Sequence, residues 1–71
     1  MQNITIEKML NQTVEVFTLD GVLYQGKLVG VDQALNVVLE SAKIERSEND
    51  KDDEPKTHII RGDMVCSISL I

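Results

Sequence analysis

Four polar side chains in two short segments hold most of the chemistry this chain offers. Asp32 and Asn36 flank a tight connection, and Arg61 and Asp63 flank Gly62. Together they supply carboxylates, an amide and a guanidinium, groups that make directional hydrogen bonds. By residue type alone each segment is first a turn, because Asp and Asn bond nearby backbone and glycine eases the geometry. As an adhesion tripeptide Arg61-Gly62-Asp63 carries little weight, since three residues recur by chance and nothing else here suggests secretion. Neither segment pairs a nucleophile with a base. His58 is the only histidine and falls in an expected strand with no evident acidic orienter, so no catalytic residues are expected despite the Ser and Thr present. Cys66 is the only cysteine, which excludes a disulfide within the chain and a Cys/His zinc site; no metal or cofactor is expected.

The elements that must hold these residues are short. Ile6, Met9 and Leu10 lie at i, i+3, i+4 and predict a two-turn helix that Thr5 can cap and Asn11 can stop. A helix so short must dock on something to persist. From Thr13 the period becomes two: Val14 and Val16 alternate with Thr13, Glu15 and Phe17, as a half-buried strand requires. Asp20-Gly21 then signals a hairpin turn. The next strand, over 22–31, carries Gly26 and Gly30, whose spacing suggests a long and strongly curved strand. After the connection at 32–36 a third strand begins at Val37 and runs to about residue 44. Residues 46–56 read as a charged, solvated loop, 57–61 as a fourth strand, and Gly62-Asp63 as a sharp turn into a last strand over 64–70. In that last strand Met64, Cys66, Ile68 and Leu70 are expected to face one way and Val65, Ser67 and Ser69 the other. Phe17 and Tyr24, the only aromatics, read as core or sheet residues, too few for an aromatic stacking platform.

Seventy-one residues make one domain, spanning 1–71, and a chain of that length buries only about 60% of its unfolded surface. Such a core needs a supplement, and with disulfide and metal excluded oligomerisation is left. The last strand agrees: it has no Lys, Pro or inward charge to guard an edge, so it is either paired on both sides or expects a partner chain. The net charge of −5 argues against simple electrostatic binding of nucleic acid, although much of the acid sits at 48–54. No apolar run approaches the roughly 20 residues of a membrane span. The opening Met1-Gln2-Asn3-Ile4 lacks the regions of a signal peptide, so an intracellular, reducing compartment is expected, where a lone buried thiol would be at home.

The full pattern is more specific than its parts. Asp20-Gly21, Gly26, Leu28, Gly30, Asp32, Asn36 and Leu39, then a variable loop, then Ile60-Arg61-Gly62-Asp63 ahead of an apolar strand, resembles the bipartite motif of the Sm and Sm-like (LSm) family over residues 5–70. The resemblance implies a mostly β fold: a short N-terminal helix on a strongly bent, five-stranded antiparallel, SH3-like barrel. It also implies that the fourth strand of one subunit pairs with the fifth of the next to close a ring, seven-membered in most relatives and six-membered in bacterial ones.

The resemblance further implies a site for single-stranded, uridine-rich RNA where the two turns meet at the inner rim. Asn36 would bond the edge of a uracil and Asp32 would orient Asn36. Arg61 would stack on the base, and Gly62 and Asp63 would close the pocket, a scheme in keeping with how unpaired bases are read. One departure stands out: the position two residues after Asp32, often aromatic or His in the family, is Ala34 here. Base–aromatic stacking is worth about 1–3 kcal/mol, so this pocket is expected to bind weakly, with Arg61 as its main stacking group.

Asp32-Gln33 together with Ile60-Arg61-Gly62-Asp63 most resembles the LSm eight subfamily, with LSm three as runner-up and LSm one third. The implied role is that of a subunit of a nuclear heteroheptameric ring on the 3′ end of U6 snRNA, a ribonucleoprotein of pre-mRNA splicing and the spliceosome. The absence of the C-terminal extension common in that subfamily is a second departure. The alternatives are a cytoplasmic ring of mRNA decay, a homomeric ring as in archaeal relatives, and a protein-interaction barrel with no RNA role, which the acidic charge favours.

Overall fold

The computed structural model describes residues 6–46 and 56–71. Five antiparallel strands form one bent sheet: β1 (Thr13–Thr18), β2 (Leu23–Val31), β3 (Val37–Arg46), β4 (Lys56–Ile60) and β5 (Val65–Leu70), in the order β4-β3-β2-β1-β5. The expected barrel fold is thus present, with one refinement. No ladder joins β4 to β5, so the sheet has two edges among the described residues, and the last strand is paired on one side only.

The opening segment is shorter and tighter than the expected helix. It is a 3₁₀ turn, Ile6–Met9, and the Thr5 cap lies outside the described residues. Its apolar stripe behaves as expected, with Met9 buried and Ile6 and Leu10 packed on the core. Asn11 ends it in a left-handed conformation (φ 67°), and its N–H donates to the Leu28 carbonyl at 2.6 Å. Asn tolerates this conformation better than most residues. That bond, with Leu28 N–H to Gln12 O at 2.9 Å, anchors the turn to β2. The docking required of so short a helix is therefore made through backbone as well as side chains.

Alternation then fills the interior. Val14, Val16 and Thr18 of β1 are buried, and with Leu28, Val37, Leu39, Ala42 and Ile60 they enclose the core. Thr18 is the one buried polar side chain among the described residues; its hydroxyl bonds Asp20 and the Val22 carbonyl, which ties off the Asp20-Gly21 hairpin. Burial of such a hydroxyl is tolerable because it is bonded.

Gly26 is what lets the sheet fold over. A Cβ there would come within 2.8 Å of both Cα and Cβ of Ala42 and 3.2 Å of the Glu40 carbonyl, so β3 crosses β2 at backbone distance. The β2–β3 register shifts three times along its length, and Ser41 sits at φ 55°, as befits a ladder broken by bulges. Gly30 differs from expectation: a Cβ there meets only the Val38 side chain at 3.6 Å, an ordinary contact. Gly26→Ala is therefore expected to lower stability by about 1–3 kcal/mol while Gly30→Ala is tolerated. Urea midpoints of the two variants check this; equal losses would show that both glycines serve curvature alike.

Two expectations fail in β5. Ile68 and Leu70 share the core side as expected, opposite Val16 and Val14, with Leu70 43% exposed, but upstream it is Val65 that packs on the core instead of Met64 and Cys66, and Cys66 is exposed, not buried. The cause is a bulge. Val16 pairs with Ile68 and Phe17 with Ser67, but Thr18 pairs with Val65, so one extra residue on β5 reverses the facing upstream of Ser67. Element limits also move. β3 runs to Arg46, and β4 begins at Lys56 and ends at Ile60, so Arg46 and Lys56 belong to strands, and residues 47–55 of the expected loop lie outside the described residues. Gly62 and Asp63 lie in a 3₁₀ turn, Gly62–Met64.

Candidate nucleic-acid interface

The connection after β2 is organised by one carboxylate. Asp32 Oδ1 accepts from the backbone N–H groups of Ala34 and Asn36, both at 2.9 Å, and Asp32 Oδ2 accepts from Asn36 Nδ2 at 2.9 Å. The backbone closes around it, with Leu35 N–H to Asp32 O at 3.0 Å and Asp32 N–H to Asn36 O at 3.2 Å. Leu35 is driven to φ 63°, a conformation unusual for a γ-branched side chain, and it is 43% exposed. The turn reading of Asp32 and Asn36 is therefore correct locally. It is also incomplete.

Asn36 reaches 26 residues along the chain. Its Oδ1 accepts from the Gly62 N–H at 2.8 Å, which joins the two segments singled out by residue type. The orientation of the amide follows from its partners. A backbone N–H only donates and a carboxylate only accepts, so oxygen must face Gly62 and nitrogen must face Asp32. Each end keeps half its capacity: one N–H on Nδ2 and one lone pair on Oδ1 remain.

Gly62 is where the two turns touch. A Cβ there would lie 1.8 Å from the carbonyl oxygen of Ala34 and within 3 Å of two further backbone atoms. Glycine is required here by proximity to another turn, a reason no local pattern states. On either side of it Arg61 and Asp63 form an ion pair, Nη2 to Oδ2 at 2.8 Å, with side chains 77% and 63% exposed. An exposed pair contributes little to stability, so its consequence is to hold the guanidinium in place.

All five expected site residues thus converge. Asp32, Asn36 and Gly62 are linked by hydrogen bonds, and Arg61 shares an open concavity with Asp32 and Asn36. Asp63 reaches it only through Arg61. The floor of that concavity comes from residues not expected at the site: Val31, Val38 and Ile59, with Gly30, which was singled out only for strand curvature and the motif. Ile59 had a signal, since Ile59 and Ile60 are adjacent in a strand and cannot both be inside; Ile60 is buried and Ile59 is 73% exposed. His58 is occupied elsewhere, its ring meeting Tyr24 edge to face with centroids 5.3 Å apart.

The electrostatics of the site are set at Asp32. Its carboxyl is held below the ordinary range, first by the Asn36 side-chain amide and then by the Asn36 backbone N–H; desolvation opposes them, and the Ala34 backbone N–H adds a lesser lowering. A depressed carboxyl stabilises the turn above the unfolded value, about 3.9, and that contribution is lost as pH falls through the folded value. The Asn36 side-chain amide resonance is therefore expected to stay constant from neutral pH down to the ordinary carboxylate range and to move only below it. A shift centred between pH 5 and 7 would contradict this origin.

Comparison with known proteins places this geometry. The LSM domain pattern matches residues 4–70. A Thermococcus sibiricus protein described as snRNP Sm-like is 42% identical over 64 residues, covering 90% of this chain and 83% of that one. The structure of a Pyrococcus abyssii Sm protein in complex with a uridine heptamer superposes with a TM-score of 0.81 at 33% identity, covering 93% of this chain and 92% of that one. The Pyrobaculum aerophilum SmAP1 heptamer superposes with a TM-score of 0.81 at 26% identity, covering 93% and 86%.

Proposed function

We propose, from the premise that this chain belongs to the Sm-like (LSM domain) family, that it is one subunit of a ring that binds uridine-rich single-stranded RNA, one nucleotide per subunit. The observation that carries the reading is the Asn36 amide, clamped by Asp32 and Gly62 with one donor and one acceptor left over. A clamped amide presents that donor and acceptor in one order. It matches O4 and N3–H of uracil; for the same ring placement, cytosine presents the opposite polarity. Arg61, held by Asp63 beside the apolar floor of Val31, Val38 and Ile59, would stack on the base. The uridine heptamer bound by the Pyrococcus relative agrees in ligand class.

Assembly would follow from the two open edges. β4 carries Ile59, 73% exposed, and β5 carries Leu70, 43% exposed, followed by Ile71 at 64%. Edge-to-edge pairing of β4 with the next subunit's β5 would cover these side chains and supply the stability a chain of this size lacks. Affinity would then be shared among pockets acting on one strand. The protein would act as a scaffold, with no chemistry of its own.

Two ring compositions have specific support. The SmAP1 heptamer and the archaeal sources of the relatives favour a ring of identical subunits. Asp32-Gln33 with Ile60-Arg61-Gly62-Asp63 favours the LSm eight role, or that of LSm three, in a heteroheptameric nuclear ring on the 3′ end of U6 snRNA. A ring of mRNA decay would instead be cytoplasmic. Native mass spectrometry of the purified protein, alone and with candidate LSm subunits, separates these, because only the first composition gives a complete ring without partners.

Oligo(U) titration tests the RNA reading. Asn36→Ala is expected to weaken binding at least ten-fold, about 1.4 kcal/mol, and to erase the preference for oligo(U) over oligo(C). A protein-interaction barrel would show no oligo(U) binding in the parent protein at all.

A further inference from the structure

The geometry points to a second RNA contact on the outer face of the sheet: a groove of Thr13, Gln25, Lys27, Ser41 and Lys43 that receives a phosphodiester of the strand whose bases occupy the Asn36 pockets. This rests on the proposed RNA-binding function and extends it to a surface that function does not use.

The groove lies where β1, β2 and β3 meet beside Gly26 and the left-handed Ser41. Its lining brings together five donor side chains, two of them ammonium groups. None of the five makes a hydrogen bond or ion pair with another described residue, although Gln25 is half-buried. At Thr18, Asp32, Asn36 and Arg61, by contrast, the polar side chains are spent on the fold and the base pocket. A concavity whose donors are all unspent is built for an acceptor from outside.

Charge selects the kind of acceptor. Glu40 is the one carboxylate in the lining, directly across the ladder from Lys27 yet not ion-paired with it. The lining itself holds two ammonium groups against one carboxylate, and Glu15, across the ladder from Gln25, borders it; so little net charge suits the monoanion of a phosphodiester better than a phosphate dianion. The long, flexible lysines can follow a backbone whose bases are held elsewhere.

Position makes the connection to RNA. Lys27 lies on β2 and Asp32 just past its end, five residues on and so at most roughly 16 Å away, within reach of a strand that leaves the pocket. The residues stand on the three inner strands, β1, β2 and β3, while β4 and β5 are the edges. The groove therefore remains open when edges pair into a ring. It also eases the paradox of an acidic RNA-binding chain, because two of the unpaired cations among the described residues stand here.

The assembled protein is titrated with three probes: an abasic oligophosphodiester, heptauridine with and without a 5′ abasic tail, and inorganic phosphate. The Gln25 side-chain amide resonance is expected to shift with the abasic strand and not with inorganic phosphate. The tail is expected to tighten heptauridine binding, and Lys27→Gln/Lys43→Gln is expected to remove that gain. The variant's salt dependence for tailed RNA should also fall by about 0.7 in log–log slope for each phosphate no longer neutralised, with binding of plain heptauridine unchanged. No Gln25 shift with the abasic strand, an equal shift with inorganic phosphate, or an equal benefit of the tail in parent and variant overturns the assignment. Loss of plain heptauridine binding in the parent would instead overturn the base pocket, which the abasic probe does not depend on. Circular dichroism melts of the variant guard against misfolding.

Discussion

Gly62→Ala is expected to separate the two turns and abolish the base pocket. The new methyl carbon would sit 1.8 Å from the Ala34 carbonyl oxygen, and close to two further backbone atoms. A side chain in its place could rotate away; backbone held by five hydrogen bonds around Asp32 cannot do so without breaking them. Relief must therefore move the Arg61-Gly62-Asp63 segment, which breaks the 2.8 Å bond from Gly62 N–H to Asn36 Oδ1. Overpacking of this kind costs about 1–3 kcal/mol, and the broken bond about 0.5–1.5 kcal/mol more. Stability is expected to fall by about 3 kcal/mol, and oligo(U) affinity by more than in Asn36→Ala, because Arg61 is displaced together with Asn36. Urea denaturation and oligo(U) titration read the two effects separately. A Gly62→Ala protein with parental stability and affinity would show that the two turns do not need this close approach.

Leu70→Pro is expected to dissolve the ring and leave the subunit folded. The hydrogen bonds of β1 establish which N–H groups are free. Thr18 N–H donates to Val22 on the β2 side, Leu19 N–H donates to Met64, and Ile71 N–H donates to the Thr13 carbonyl. Antiparallel pairing alternates, so Ser67, Ser69 and Ile71 face β1 while Ile68 and Leu70 turn their N–H groups to the open edge. Proline at position 70 removes an outward donor and obstructs a pairing strand without touching the ladder to β1. Proline at Ser69 would do the reverse. Native mass spectrometry is expected to show single subunits for Leu70→Pro, with native-like circular dichroism, and an unfolded chain for Ser69→Pro. With pockets no longer linked, oligo(U) affinity should fall by about 10² to 10⁴. An intact ring carrying Leu70→Pro would place the subunit contact away from this edge.

Both effects depend on relations between residues that local patterns express unequally. Period-two alternation at Val14 and Val16, the hairpin at Asp20-Gly21 and the turn chemistry of Asp32 and Asn36 are statements about neighbours in the chain, and each is present in the structure. The convergence of Asn36 with Arg61-Gly62-Asp63 is not a local statement. Residue types show two turns, and only the family resemblance places them together; the 2.8 Å bond from Gly62 to Asn36 is the physical form of that link. In the sequence Ala34 stands out for the stacking surface it lacks. Its backbone instead matters, donating to Asp32 and pressing its carbonyl on Gly62.

Sequence by itself, then, determined the five strands, the turn residues and a last strand with nothing to guard its edge, because burial and backbone propensity are encoded along the chain. The facing of β5 was decided by pairing, since a bulge opposite Thr18 moves Val65 inward and leaves Cys66 exposed. The need for Gly26 and Gly62 was decided by approach distances to Ala42 and Ala34. The four polar side chains first singled out follow the same division. Their types were legible from the start, but only the tertiary structure clamps the Asn36 amide between Asp32 and Gly62. A hydrogen bond across 26 residues exists only after the sheet has folded over on itself.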